Sequence, residues 1–382
     1  MRRYLRAARL APLTAALAVS GTLAASEEPC AVPGTWYDPD REQRLSTAEV
    51  TARLAERDFV LLGERHDDAE HHRWQLHTLG ALLGRREIGA VGLEMLPRSK
   101  QSVLDAWAQG EKDAETFFEA ADWDRVWGYD TELYRPLLDF VRMHRLPARA
   151  LNVERETVRA VREEGWSALA PDEREDVGEP APASEAYVDR LERTWRHHPG
   201  MEDDAEALER FVEAQTFWDR AMAEALAEAY EDSGAPVVGI VGRGHLEGGH
   251  GITHQLADLG YSDAAILLPL EAGAACPEPG SADLHFTLEP DVAEDPDPRM
   301  GIGMITEAGD VVIHDVMEGY PAADADLEAG DRIVEARGER IRSPGDMQRI
   351  VEEQPPGTWL PLKIERDGET REAVVRFPAE DR

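Results

Sequence analysis

Two histidines in this chain are delivered in the same way. Val60-Leu-Leu-Gly-Glu-Arg-His66 and, far downstream, Val238-Gly-Ile-Val-Gly-Arg-Gly-His245 are apolar runs that end in Gly-x-x-His. Two further runs end in a polar group: Ala90-Val-Gly-Leu-Glu94 delivers a carboxylate and Ala148-Arg-Ala-Leu-Asn152 an amide. Imidazole and carboxylate together suit three kinds of chemistry. Glu64, His66, Glu94 and His245 can ligate a divalent metal such as zinc, manganese or iron. They can run acid–base hydrolysis, one Glu or His acting as base. They can also furnish polar contacts around a larger cofactor.

Each of these uses requires that the runs lie side by side. They are short and rich in Val, Ile and Leu, as expected of strands buried on both faces of a mainly parallel sheet. The sequence between them is helical in pattern: 69–83, 132–143 and a long segment over 204–230 with Phe211, Phe217, Trp218, Met222 and Leu226 on its buried stripe. Strands interleaved with helices predict right-handed crossovers and an α/β fold, a mainly parallel sheet flanked by helices. Ligands of such sheets bind outside the carboxyl ends of the strands. Glu64, His66, Glu94, Asn152 and His245 are therefore expected to converge on one pocket.

The chain opens on Met-Arg-Arg-Tyr-Leu-Arg, runs through an apolar stretch and reaches Ala24-Ala25-Ser26, the pattern of a secretory signal peptide over residues 1–25. The expected setting is export, to the periplasm or cell envelope, without an integral membrane span. An oxidising compartment permits Cys30 and Cys276, the two cysteines, to pair or to stay free. A net charge of −36 will repel nucleic acid, which is excluded as a partner. The oligomeric state stays open, with a homodimer among the arrangements allowed.

The apolar periodicity gives way to prolines and acids over 286–297, an expected linker between an α/β domain at 33–285 and a smaller module at 298–380. Short alternating strands there enclose Gly319-Tyr-Pro-Ala-Ala and Leu327-Glu-Ala-Gly-Asp-Arg-Ile-Val, and the module resembles a bacterial PDZ domain, mostly antiparallel β with short helices. The resemblance implies that Gly301, Ile302, Gly303 and Met304 form a loop whose backbone N–H groups hold the C-terminus of a peptide or protein, the peptide adding as a strand beside a helix over 343–351.

The motifs of the larger domain are more specific. Leu61-Leu-Gly-Glu-Arg-His-Asp-Asp-Ala-Glu-His-His, Gly92-Leu-Glu-Met, Asp122-Trp-Asp-Arg-Val-Trp-Gly-Tyr-Asp130, Tyr134-Arg-Pro, Ala150-Leu-Asn-Val-Glu-Arg-Glu, Gln215-Thr-Phe-Trp-Asp-Arg-Ala-Met-Ala and Gly242-Arg-Gly-His follow one another over about 55–270. In that order they resemble the ChaN-like haem-binding uptake family, a branch of the Tiki superfamily. The resemblance implies non-covalent haem as cofactor and a role in haem or iron uptake or trafficking. Tyrosine ligates ferric haem in some proteins, and the resemblance points to the aromatic segment around Tyr129, with Trp123, Trp127, Tyr134, His66 and His245 as further cofactor contacts and His71 or His72 as alternative ligands. No Cys-x-x-Cys-His is present for covalent attachment. The wider superfamily implies a second reading, a metal-dependent peptidase or esterase in which Glu64, His66, Glu94 and His245 are catalytic. A third is a non-enzymatic envelope adaptor that works through the PDZ module.

Overall fold

The computed structural model describes residues 30–378 apart from 197–204, 290–298, 308–309, 318, 356 and 367. The expected signal peptide and residues 290–297 of the expected linker lie outside the described residues. Eight strands form the larger sheet: β1 (Trp36–Asp38), β2 (Gln43–Leu45), β3 (Phe59–Glu64), β4 (Ala90–Pro97), β5 (Ala148–Asn152), β6 (Val237–Gly242), β7 (Ala264–Glu271) and β8 (Leu284–Leu288). Their order is β2-β1-β8-β7-β3-β6-β4-β5. From β8 to β5 every pairing is parallel, while β1 runs antiparallel to both β8 and β2. The four runs singled out in the sequence are thus contiguous, β3-β6-β4-β5, with β6 inserted between β3 and β4.

Alternation along the strands sends side chains to two separate cores. Val60, Leu62, Val91, Leu93, Val238 and Ile240 pack on one face beneath α1 (Thr47–Leu54), α2 (Ala69–Leu83), α3 (Gln101–Ala108), α4 (Ala114–Ala121), α5 (Trp123–Val126) and α6 (Thr131–His144). Phe59, Leu61, Val237 and Val241 point the other way, onto a layer that contains α7 (Arg155–Glu164), α8 (Glu185–Arg196), α9 (Ala205–Ser233) and α10 (Ile252–Asp258). Both strand faces are covered, which is why these runs read as continuously apolar. Asp68 starts α2 by accepting from the N–H groups of Glu70 and His71. Cys30 and Cys276 form a disulfide, Cα–Cα 5.6 Å, joining the segment before β1 to the loop after β7.

The C-terminal module is an antiparallel sheet of β9 (Ile302–Glu307), β10 (Asp310–Val316), β11 (Arg332–Ala336), β12 (Glu339–Arg340), β13 (Trp359–Arg366) and β14 (Glu369–Arg376), with short helices α11 (Pro321–Asp324) and α12 (Pro344–Glu352). The order β14-β13-β11-β10-β9, with β12 off β11, leaves β9 at an edge. Ser343 caps α12 in a reciprocal capping box with Asp346. No described helix is long and apolar enough to cross a membrane.

Candidate functional site

Register decides where the two Gly-x-x-His segments emerge. Glu64, the last residue of β3, is opposite Gly242, the last of β6, so His66 and His245 leave the same edge of the sheet. Glu94 comes up on β4, the other neighbour of β6, and its Oε2 accepts the Gly242 N–H at 2.5 Å. A Cβ on Gly242 would sit 2.8 Å from the His66 ring. Glycine there is a requirement of close approach rather than of backbone angle.

Each histidine is held from behind by a buried carboxylate. His66 donates from Nδ1 to Glu64 Oε1 at 2.9 Å, and Tyr134 donates its hydroxyl to the same oxygen at 2.7 Å. His72 stands on the other side of Glu64, its Nδ1 3.3 Å from Oε2 while its Nε2 donates to the His66 carbonyl at 3.2 Å. On the opposite flank His245 donates from Nδ1 to Asp219 Oδ1 at 2.7 Å, and Tyr187 donates to Asp219 Oδ2 at 2.5 Å. His245 Nε2 then lies 3.7 Å from Glu94 Oε1. Asn152 reinforces the middle, donating to the Glu94 carbonyl at 3.0 Å and accepting from Trp218 Nε1 at 2.6 Å. The result is two carboxylate-braced imidazoles on either side of Glu94.

Burial and charge oppose each other here. Glu64 is buried, which alone would raise its pKa, yet its bonds to His66 and His72 bring it down to about 2. Burial pulls the other way on His66, His72 and His245, but Glu64 and Asp219 prevail and all three are raised. His71, next in sequence to His72, points elsewhere: it accepts the Arg65 N–H on Nδ1 at 2.8 Å, and burial brings its pKa down to about 4. Of the adjacent pair, only His72 faces the inner site.

The expectation of a divalent metal is not supported by this arrangement. Among the described residues no group of three or more His, Cys, Asp or Glu is placed to hold a metal ion. The Nδ1 atoms are engaged with carboxylates, Glu64 Oε1 receives Tyr134 and Glu94 Oε2 receives Gly242, and the nitrogen and oxygen atoms that remain are not gathered around one point among the described residues. The four residues expected to be ligands do come together, but as a hydrogen-bonded network.

The aromatic segment forms a shelf at the rim. Trp127 meets the His66 ring edge-on at 4.7 Å, Tyr129 lies 5.2 Å from it, and Trp127 and Tyr129 are 5.5 Å apart. Trp123 is buried and donates from Nε1 to the Tyr129 carbonyl at 2.8 Å, holding this loop in place. Tyr134 is also fully buried. It braces Glu64 from below, so it does not flank a surface ligand as expected. Tyr129 differs from both: 36% exposed, its phenol pKa raised by burial and by Asp67.

Sequence reading missed Asp219, Tyr187 and Trp218 as site residues. Asp219 had a signal, an adjacent acid–base pair, Asp219-Arg220, inside the buried stripe of α9 between Phe217 and Met222. Tyr187, on the shorter α8, had none.

Comparison with known proteins follows the same outline. Residues 50–256 match the family described as haem-binding uptake, Tiki superfamily, ChaN, and residues 298–376 match the PDZ domain. Among solved structures the chain is similar to ChaN of Campylobacter jejuni, described with cofacial heme binding, at 22% identity and a TM-score of 0.54, covering 66% of this chain and 95% of that one. It also matches the HtrA3 PDZ domain bound to a phage-derived ligand, at 19% identity and a TM-score of 0.19, covering 20% of this chain and 82% of that one. Putative zinc metalloproteases of Brucella suis and Brucella melitensis are 44% identical over 62 residues, 16% of this chain and 16% of each relative. The chain thus spans about a sixth of the length of those curated relatives. With more than half of its length inside one family's bounds, the chain belongs to the ChaN haem-binding uptake family of the Tiki superfamily and carries a PDZ domain behind it.

Proposed function

We propose that this protein binds ferric haem on the rim of the larger sheet, with Tyr129 as iron ligand and Trp127 and His66 against the porphyrin, and that it serves haem or iron uptake or trafficking outside the cytoplasm. The observation that carries the reading is the contrast between Tyr129 and its surroundings. Glu64, Glu94, Asp219 and the Nδ1 atoms of His66 and His245 are committed to internal hydrogen bonds. The Tyr129 phenol stands exposed beside two aromatic rings. A porphyrin needs flat apolar contact and an oxygen, nitrogen or sulfur donor for its iron, and this shelf offers both. When bound, haem supplies a Lewis-acidic, redox-active iron. The free phenol is protonated at neutral pH, and partial burial raises its pKa further, so binding ferric iron through its oxygen releases a proton.

Export is supported by the Cys30–Cys276 disulfide, since such bonds persist in oxidising compartments. The PDZ domain adds a protein partner, received at Gly301–Met304 through a peptide C-terminus. Hemin titration of the purified chain is expected to give a saturable Soret shift that Tyr129→Phe weakens or moves. A flat titration of folded protein overturns the haem reading. Peptide binding retained beside a flat titration favours the adaptor. The metal-dependent hydrolase has no coordination set in its favour among the described residues.

A further inference from the structure

A second set of side chains climbs away from the shelf. Arg155, Arg159 and Arg162 stand at i, i+4 and i+7 on α7, one face of the helix over about 10 Å. Arg155 begins at the shelf itself: it donates to the Trp127 carbonyl at 2.9 Å, and its charge acts on the Tyr129 phenol against the effect of Asp67. Arg159 and Arg162, with Arg210 of α9 and Glu163, line a cavity of about 420 Å³. The helices show which way this wall runs. Asp219 of α9 is level with the crevice, where it holds His245. Arg210 is roughly two and a half turns earlier, about 13 Å outward along the axis. There α9 meets the end of α7, where Glu213 accepts the Trp166 N–H at 2.8 Å.

Charge sets two members of this row apart. The chain carries a net charge of −36, and its arginines are mostly engaged with acids, as Arg149 is with Glu228 and Asp232. Arg155 and Arg159 have no ion-pair partner among the described residues, whereas Arg210 is paired with Glu206 at 3.0 Å. Arg162 lies over the Trp195 and Phe211 rings at 5.5 and 5.7 Å, which fixes its guanidinium. Guanidinium groups at the edge of an aromatic shelf suit a ligand with a flat apolar body and carboxylates at its margin.

Resting on the haem reading above, we propose that Arg155, Arg159, Arg162 and Arg210 form a docking row for the porphyrin carboxylates, so that the ligand is selected by its anionic edge as well as by its iron. The test compares hemin with hemin dimethyl ester, which keeps the iron and ring but has no carboxylate, on the full chain and its Arg159→Ala and Arg159→Lys variants. The substitution to alanine should weaken hemin binding about tenfold, the loss expected for a charge-assisted hydrogen bond, and leave ester binding unchanged. Lysine should recover part of the loss. Equal hemin affinity in wild type and Arg159→Ala overturns the docking row alone, as does equal weakening of acid and ester, which marks a general effect on the fold. Failure of wild type to bind either form overturns the haem reading and the row together.

Discussion

At the scale of single residues, the site is a set of charges whose burial is tolerated because each has a counterpart. Asp219 and His245 are the simplest case, and the sign of the pH dependence follows from the histidine. Its pKa is raised in the fold, so the stability it contributes is fully present below about pH 6.5, the ordinary value, and is lost as pH rises through the elevated folded value. Asp219→Asn should therefore cost about 3 kcal/mol in the acid range, as expected for a broken buried pair, and less in alkali. Urea unfolding of wild type and variant at pH 5.5 and 9 reads this directly, and an equal cost at both would mean that His245 is neutral in the fold. Glu64 has the opposite sign: its contribution is present above about pH 4.5 and is lost as pH falls toward its folded value of about 2. Much of this was legible in the sequence. Glu64, His66, Glu94, Asn152 and His245 were predicted to converge, and they do, because the carboxyl end of a parallel strand has one destination. The roles were less legible. Spacing cannot show which atoms of these side chains are taken by hydrogen bonds, or that the remaining ones do not meet around one point.

At the scale of elements, strands predicted from apolar runs were found where the runs were long. β3, β4 and β6 could be read because burial on both faces keeps them apolar up to their carboxyl ends, and β5 could be read despite Arg149. β1 and β2, three residues each, are too short for any periodicity to appear. In the C-terminal module the decisive element is β9. It pairs only with β10 among the described residues, and its open edge is a template for an added strand. Gly301 enters this strand at φ 78°, and a Cβ there would collide with Tyr320, so the loop geometry depends on glycine. Free-acid peptides that are apolar at the terminus and neutral or basic before it should bind the chain, and amidation of the peptide terminus should abolish binding. Fluorescence anisotropy with matched peptides checks this. Equal binding of both forms would show that the loop receives no carboxylate.

At the scale of the whole molecule, the disulfide closes a span of 246 residues and encloses most of the larger sheet. Cross-linking so distant a pair restricts the unfolded chain, and reduction should lower stability by about 2–5 kcal/mol. Thermal unfolding with and without reductant, followed by tryptophan fluorescence, is the measurement, and an unchanged midpoint would show that the bond only tethers the terminus. The placing of β6 between β3 and β4 has a further consequence, for timing. A chain emerging from its N-terminus presents Glu64, His66, Glu94 and Tyr129 long before Gly242 and His245 exist, and the slot between β3 and β4 cannot close until β6 arrives. The loop bridged by that insertion is long and slow to close. The crevice is therefore completed only after β6 has been made and inserted, although the aromatic shelf around Tyr129 is synthesised well before it.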